Sequence, residues 1–289
     1  MSIVVTGSTG HLGRLTVEAL LARGVPADQI VATGRRTEVL ADLADRGVTV
    51  RRADYSDPES LRTAFAGAEK LLLVSGSEIG QRLPQHRNAI TAAKDAGVRL
   101  VAYTSLTRAD TSSLPIAGEH IGTEQALAES GIPHVVLRNG WYTENYTDQL
   151  PTYLQHGIVG SAGSGRVSAA TRADYAAAAA AVLVEDGHEG EVHELGGAAF
   201  TMPELAAAVT AATGQDVVYT DVPVEEYTKV LVGAGLPEPV AAAYADMDRA
   251  IADGALLVEG NDLEKLIGRA PTPLTEAVDA AVAAARQDG

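Results

Sequence analysis

The stretch that decides the fold is Ile3-Val4-Val5-Thr6-Gly7-Ser8-Thr9-Gly10-His11-Leu12-Gly13. Three β-branched apolar residues lead into a glycine-rich turn, and an amphipathic helical pattern of leucine and valine follows at once. This succession of strand, turn and helix predicts the opening unit of a dinucleotide-binding fold. Because the spacing is G-x-x-G-x-x-G and a glycine triplet alone is a weak signal, a purely structural turn is the alternative.

The glycines are interpreted by what a missing Cβ allows. Gly7 lets the chain turn sharply, Gly10 lets a pyrophosphate approach the backbone, and Gly13 lets the helix lie near the strand. The phosphates are then expected on the free N–H groups of the helix N-terminus, with the Ser8 and Thr9 hydroxyls as further donors. The predicted phosphate-binding residues are Gly7, Ser8, Thr9, Gly10, His11, Leu12 and Gly13.

Composition limits the kind of protein this chain can be. It has 289 residues, 46% of them hydrophobic, which suits one large α/β domain or a large domain with a smaller one. A formal charge of −16 disfavours nucleic acid and anionic membrane surfaces as partners, and the absence of cysteine excludes disulfides and thiolate sites. No apolar run reaches about 18 residues, and Ile3–Val5 are needed as a strand. We therefore expect a cytoplasmic protein without a signal peptide. As a separate expectation, the protein is either a monomer or a homodimer.

Strand and helix patterns alternate through the first half of the chain. The connections are only a few residues long, which predicts an α/β fold with a Rossmann-type, doubly wound parallel sheet. The predicted strands are Ile3–Val5, Gln29–Thr33, Val48–Arg52, Lys70–Val74, Val98–Thr104 and His134–Arg138.

The pattern changes after Asn139. Asp174–Val184 is an alanine-rich helix, Glu191–Leu195 reads as a further strand, and Thr201-Met202-Pro203-Glu204 is a capping box. We expect residues 1–150 to form the dinucleotide-binding domain, with contributions from about 170–200. Residues 151–289 are expected to form a smaller, α-rich substrate-binding region.

The end of the second predicted strand indicates which dinucleotide is bound. NAD-specific folds place an acid there for the ribose hydroxyls, whereas this chain has Gly34, Arg35 and Arg36. A guanidinium suits the 2′-phosphate of NADP, so we predict NADP(H) with Arg35 and Arg36 near that phosphate. Two solvated surface arginines are the alternative.

Polar residues after the third and fourth predicted strands extend the expected site. Asp54 can accept a hydrogen bond from an adenine amino group, or it can be a simple turn residue. Ser75, Gly76 and Ser77 are expected beside the cofactor's ribose or pyrophosphate, a plain polar loop being the alternative.

The chain lacks the tyrosine and lysine pair with which many short-chain dehydrogenases protonate an alkoxide. None of its four lysines has a tyrosine four residues before it. Where such a pair would fall, the sequence has His120 and Glu124. Since no third ligand is near them in the sequence, we interpret them as an exposed helix face and predict no metal site.

Several segments together resemble the NmrA-like, atypical branch of the short-chain dehydrogenase/reductase superfamily, particularly its bacterial NADPH:quinone oxidoreductases. The likeness spans nearly the whole chain, with one small departure at Gly76, where a serine is expected. The segments are Thr6–Gly13, Ala53–Tyr55, Glu69–Ser75, Gln85–Asn88, Ala102–Leu106, Leu137–Tyr146, Ala170–Tyr175 and His188–Gly190.

This resemblance implies a two-domain fold with NADP(H) in the cleft and Arg35 at the 2′-phosphate. It also implies that the segment from Asn139 to Asn145 lies near the nicotinamide and the quinone. Trp141, Tyr142 and Tyr146 are expected to stack on a flat quinone, and Asn145 to donate a hydrogen bond to a quinone oxygen. Trp141, Asn145 and Tyr146 are thus the predicted catalytic residues, and Asn139, Gly140, Trp141 and Tyr142 the predicted cofactor contacts. Alternatively, Trp141 and Tyr142 fill a core between the two regions.

The missing acid fits reduction of a quinone. Hydride transfer to a quinone gives a hydroquinone anion. The pKa of a hydroquinone hydroxyl is far lower than that of an alcohol, so the anion forms without a tuned protein acid and water can supply its proton. The sequence therefore predicts NADPH-dependent quinone reduction. Two alternatives stay open: an NADP(H)-binding redox sensor without turnover, and a tailoring enzyme that acts on a polycyclic quinone.

Overall fold

The computed structural model describes residues 2–287 and contains a central parallel sheet and a small second sheet. All six strands predicted for the first half of the chain are present, with ends that differ from the predicted ones by at most two residues. The strands are β1 (Ile3–Val5), β2 (Ile30–Gly34), β3 (Thr49–Arg52), β4 (Lys70–Leu73), β5 (Leu100–Leu106), β6 (His134–Asn139), β7 (Ile158–Gly160), β8 (Val192–Leu195) and β9 (Tyr219–Asp221).

Seven strands form the central sheet in the order β3-β2-β1-β4-β5-β6-β8, and every neighbouring pair is parallel. From β1 the sheet grows in one direction through β2 and β3, and in the other through β4, β5, β6 and β8. The strand order therefore reverses between β1 and β4. Ligands of open α/β sheets bind at such a reversal, outside the carboxyl ends of the strands. The predicted Rossmann-type, doubly wound sheet is confirmed, and the strand expected at Glu191–Leu195 forms its edge.

Helices connect the strands and cover both faces of this sheet. Two short 3₁₀ turns, Ala27–Gln29 and Thr37–Leu40, flank β2, and the second leads directly into the helix that begins at Ala41. The helices are α1 (His11–Ala22), α2 (Ala41–Asp45), α3 (Pro58–Phe65), α4 (Arg82–Asp95), α5 (Ala117–Ser130), α6 (Glu144–Thr147), α7 (Leu150–His156), α8 (Arg172–Val184), α9 (Met202–Thr213), α10 (Val224–Gly233), α11 (Glu238–Ala252), α12 (Asp262–Ile267) and α13 (Leu274–Gln287).

The two faces of the sheet bury separate apolar layers. Successive strand residues point to opposite faces, so Ile3 and Val5 pack with α1 and the alanine-rich α8, while Val4 packs with α3, α4 and α5. The alanines of α8 bring its backbone close to α1. These layers hold the carboxyl ends of β1, β2 and β4 in fixed positions.

A third apolar cluster lies in the second half of the chain. It contains Tyr146, Phe200 and residues of α9, α11 and α13, and it also takes in Leu106 and Leu114 from the first half. Beside it, β7 and β9 pair in parallel as a two-stranded sheet. The predicted capping box is confirmed, because Thr201 and Glu204 exchange hydrogen bonds at the start of α9. The domain boundary at residue 150 stays a prediction.

Within residues 2–287, none of the helices combines the length and the apolar character needed to cross a membrane.

Candidate functional site

A cleft of about 320 Å³ lies at the carboxyl ends of β1, β2 and β4, where the strand order reverses. It brings together residues that are far apart in the sequence. The lining residues are Thr6, Gly7, Thr9, Gly10, His11, Leu12, Gly13, Thr33, Gly34, Arg35, Ala53, Asp54, Tyr55, Val74, Ser75, Gly76, Ser77, Glu78, Gln85, Tyr142 and Arg172.

The glycine-rich turn forms one wall of the cleft and has the geometry expected of a phosphate-binding loop. Gly7 has a φ of +61°, and the Gly10 N–H donates to the Gly7 carbonyl at 2.9 Å. A Cβ on Gly13 would lie 2.4 Å from the Gly7 carbonyl oxygen, so only glycine allows α1 to start this close to the turn. The first-turn N–H groups of α1 have no acceptor within the helix and are available to an anion.

The two hydroxyls of this turn have different surroundings. The Ser8 hydroxyl is fully buried, donates to the Val5 carbonyl at 2.8 Å and accepts from the Thr33 N–H at 3.3 Å. It therefore holds β1 to β2, and the expectation that it donates to a phosphate does not fit this geometry. Thr9 lines the cleft and packs on Gly34, whose Cβ would meet the Thr9 methyl at 2.4 Å.

Charged groups stand at the end of the cleft beside β2. An Arg35 guanidinium nitrogen lies 2.9 Å from a Glu78 carboxylate oxygen, and the other Glu78 oxygen accepts from the Gln85 amide at 2.9 Å. Arg35 is 64% exposed, so its remaining N–H groups are accessible from the cleft. Arg36 is exposed and does not line the cleft, which separates it from the predicted phosphate site.

Asp54 also faces this end of the cleft. Its carboxylate accepts hydrogen bonds from the Ser56 hydroxyl at 2.7 Å and from the Ser56 N–H at 2.9 Å. These bonds lower the pKa of Asp54, so the side chain stays an ionised hydrogen-bond acceptor. This position suits the predicted contact with an adenine amino group as well as a turn.

The loop from Ser75 to Glu78 is held from beneath by a buried histidine. The Gly76 N–H donates to His86 Nε2 at 3.0 Å, and the Arg82 guanidinium donates to the Gly76 carbonyl at 2.7 Å. Burial lowers the pKa of His86 to about 3, so the ring stays neutral and can accept. We did not predict this role for His86, because a single histidine within a helical pattern carries no signal of it.

Tyr142 and Arg172 form the other end of the cleft. The Arg172 guanidinium carbon lies 4.9 Å from the centre of the Tyr142 ring, and the Tyr142 ring packs edge-on against Tyr175 at 5.6 Å. Arg172 also donates to the Asn145 amide oxygen at 3.2 Å and lies 4.0 Å from the Glu144 carboxylate. Thus Asn145 orients a guanidinium of the cleft. Arg172 is a site residue that the sequence reasoning missed, although it stands within a segment of the family resemblance.

Four other predicted residues do not line the cleft. Tyr146 is buried beside Phe200 in the third apolar cluster, so it is not placed to stack on a ligand in the cleft. Trp141 is half-buried and packs against the same cluster, as the alternative interpretation expected. Asn139 is buried at the end of β6, and Gly140 lies against backbone oxygens that leave no room for a Cβ.

The interpretation of His120 and Glu124 as an exposed helix face is wrong. His120 is only 5% exposed, and its Nδ1 lies 2.9 Å from the hydroxyl of the fully buried Tyr103. Glu124 forms a two-point ion pair with Arg138, which also contacts Glu194. The polar groups on this face of α5 are therefore satisfied inside the protein. A periodicity argument misses them because histidine and glutamate count as surface residues.

Comparison with known proteins identifies the family of the chain. A model of the NmrA-like family matches residues 1–279, which is nearly the full chain. The chain belongs to the NmrA-like family. This confirms the resemblance inferred from the sequence segments.

Two proteins with named activities are similar to the chain over almost all of its length. Quinone oxidoreductase 2 of Escherichia coli (strain K12) is 50% identical, covering 96% of this chain and 97% of that protein. A crystal structure of an NADPH-dependent quinone oxidoreductase from E. coli, complexed with NADPH, has a TM-score of 0.93 at 49% identity and covers 97% and 99% of the two chains. Triphenylmethane reductase of Citrobacter sp., complexed with NADP(H), has a TM-score of 0.92 at 44% identity, covering 97% and 100%.

Proposed function

We propose that this protein is an NADPH-dependent quinone oxidoreductase that works by hydride transfer. The observation that carries the proposal is the cleft itself, which joins a glycine turn, the N-terminus of α1 and a cationic end at Arg35. The activity of E. coli quinone oxidoreductase 2 supports it, because that protein is about half identical to this chain over nearly its full length.

The residues of the cleft fit an NADP(H) molecule. The pyrophosphate would bind at the Gly7–Gly13 turn, where the first-turn N–H groups of α1 supply hydrogen bonds and the helix dipole favours negative charge. Asp54 would accept from the adenine amino group, and Ser75 to Ser77 would border the ribose. Together with Arg35 and Tyr142 at its two ends, these groups line the cleft along the path that NADP(H) would take.

Arg35 supports NADPH over NADH. The carboxyl end of β2 lies where the adenosine ribose is bound in dinucleotide folds, and here that end carries a guanidinium instead of an acid. A planar guanidinium can hold a phosphate through two parallel hydrogen bonds. Glu78 shares this guanidinium in the present structure, so the 2′-phosphate would compete with Glu78 for it or join it.

When bound, NADPH supplies a hydride, which reduces the quinone to a hydroquinone anion, and a proton from water completes the hydroquinone. The chain's contribution is to bind the two rings, to orient them and to stabilise the anion. Among the described residues that line the cleft there is no lysine, and burial raises the pKa of its two tyrosines, Tyr55 and Tyr142, so neither phenol is activated as a proton donor. Reduction of a quinone can proceed in such a cleft, because water can protonate the hydroquinone anion.

Arg172 would stabilise the charge that develops on the quinone oxygen. It is the guanidinium at the Tyr142 end of the cleft, and the Tyr142 ring, Asn145 and Glu144 fix its position. A cation held in place before the reaction lowers the energy of a developing oxyanion without further rearrangement. Asn145 acts through Arg172 in this arrangement, whereas Trp141 and Tyr146 pack in the third apolar cluster.

The proposal is tested by product stoichiometry under anaerobic conditions with NADPH and a small naphthoquinone. Hydride transfer gives one hydroquinone for each NADPH consumed, without a semiquinone signal in electron paramagnetic resonance. Tight NADPH binding with no hydroquinone formed would instead indicate the redox sensor. Turnover confined to polycyclic quinones would indicate the tailoring enzyme.

A further inference from the structure

A cluster of two histidines and one glutamate lies at the edge of the central sheet, outside the cleft. The cluster consists of His188, Glu191 and His193. Each side chain offers one ligand atom, and the three ligand atoms lie within 4.8 Å of one another. His188 and Glu191 belong to the turn between α8 and β8, and His193 lies on β8 itself. We infer that this cluster is a binding site for a divalent transition-metal ion of the Zn²⁺ type.

The distances match a metal set. Glu191 Oε2 lies 3.2 Å from His188 Nδ1 and 3.0 Å from His193 Nε2. Ligands of tetrahedral Zn²⁺, with bonds of about 2.0–2.1 Å, lie roughly 3.3 Å from one another. The ligand atoms of His188 and His193 lie no more than 4.8 Å apart. The two imidazoles meet edge to face at 5.6 Å between centres.

The chemistry of the three groups also suits Zn²⁺. His193 Nε2 is buried and has no hydrogen-bond partner, although it lies beside Glu191, so the geometry of this contact is not that of a hydrogen bond. Both imidazoles are less than 15% exposed, whereas Glu191 is half exposed and leaves room for a water ligand.

The backbone around the cluster is fixed, which favours a preformed site. The Gly190 N–H donates to the His134 carbonyl at 2.8 Å, and the Val136 N–H donates to the Glu191 carbonyl at 2.9 Å. Both bonds tie the turn to β6. The cluster lies at the amino end of β8, and the cleft lies at the carboxyl ends of β1, β2 and β4. A bound ion would therefore hold the sheet edge and take no part in the reaction.

The test uses the untagged full chain, stripped with EDTA and freed of the chelator, and titrated with Zn²⁺ alone by calorimetry. We expect one ion per chain and a rise in Tm on binding. His188→Ala and His193→Ala should each weaken Zn²⁺ binding by at least about tenfold. His156→Ala is the matched control, because His156 is an exposed histidine at the end of α7, and it should bind Zn²⁺ like the wild type.

A second readout keeps the test decisive where a histidine variant folds poorly. Co²⁺ in the wild-type chain should give the intense visible absorption of tetrahedral coordination, and Zn²⁺ should abolish it. Glu191→Gln keeps the side-chain size and should reduce that absorption. Absence of Zn²⁺ binding, or binding unchanged in both His188→Ala and His193→Ala, would overturn the inference. Quinone reduction should be the same with and without Zn²⁺.

Discussion

Replacing Arg35 with alanine should weaken NADPH binding and leave NADH binding almost unchanged. Arg35 is 64% exposed and already contacts Glu78 at 2.9 Å. A charge-assisted hydrogen bond contributes about 1.5–3 kcal/mol, and an exposed ion pair about 0–1 kcal/mol. When NADPH binds, Arg35 gives up the ion pair with Glu78 and gains the hydrogen bond to the 2′-phosphate, a net gain of about 1–2 kcal/mol. Losing this gain in Arg35→Ala would raise the Kd for NADPH roughly 5- to 30-fold.

Calorimetric titration with NADPH and NADH measures both values directly. Arg36→Ala is the matched control, since Arg36 is the next residue but lies outside the cleft, and its Kd for NADPH should be unchanged. Glu78→Gln should tighten NADPH binding modestly, because it removes the carboxylate that shares the Arg35 guanidinium. An equal loss of NADPH and NADH affinity in Arg35→Ala would show that Arg35 does not contact the 2′-phosphate.

Three further changes test the fold and the cleft. Gly13→Ala should abolish NADPH binding in calorimetry, because its Cβ would lie 2.4 Å from the Gly7 carbonyl oxygen. Both His86 and His120 have pKa values of about 3, below the usual 6.5, so the unfolded state binds more protons between these values and stability falls as the pH drops below 6.5. Each should cost about 2 kcal/mol at about pH 5 in urea unfolding, and His86→Gln should reduce this pH dependence. Arg138→Met should lower the free energy of unfolding by about 3–5 kcal/mol, because it leaves the nearly buried Glu124 carboxylate without its two-point ion pair; an unchanged urea midpoint would contradict this.

The sheet and one wall of the cleft could be predicted because their signals are local. Ile3–Val5 form a short apolar run, and Gly7, Gly10 and Gly13 follow at a spacing that one turn and one helix require. Arg35 could be found in the same way, since the end of β2 is defined by the residues around it. Each of these predictions needed only a few neighbouring residues.

The other end of the cleft could not be predicted in the same way. Tyr142, Trp141 and Tyr146 are all aromatic and close in sequence, but only Tyr142 lines the cleft, because α6 turns Tyr146 toward Phe200. Which aromatic faces the ligand depends on packing with elements some 50 residues later. Arg172 reaches Tyr142 only through the fold, and no spacing in the sequence connects them.

Buried polar groups were the other source of error. Ser8 was expected to face a phosphate, but its hydroxyl satisfies backbone groups of β1 and β2. His120 was assigned to the surface, but it pairs with Tyr103 inside the protein. In both cases the partner lies on a different strand or helix, so the residue type alone gave no indication of its surroundings.

The most direct test of quinone reduction follows the near-ultraviolet absorbance of NADPH and NADH separately, with and without a small naphthoquinone. We predict oxidation that depends on the quinone, is faster with NADPH than with NADH at low cofactor concentration, and slows in Arg172→Gln. No quinone-dependent oxidation of either cofactor, in a preparation that binds NADPH by calorimetry, would contradict the proposed activity.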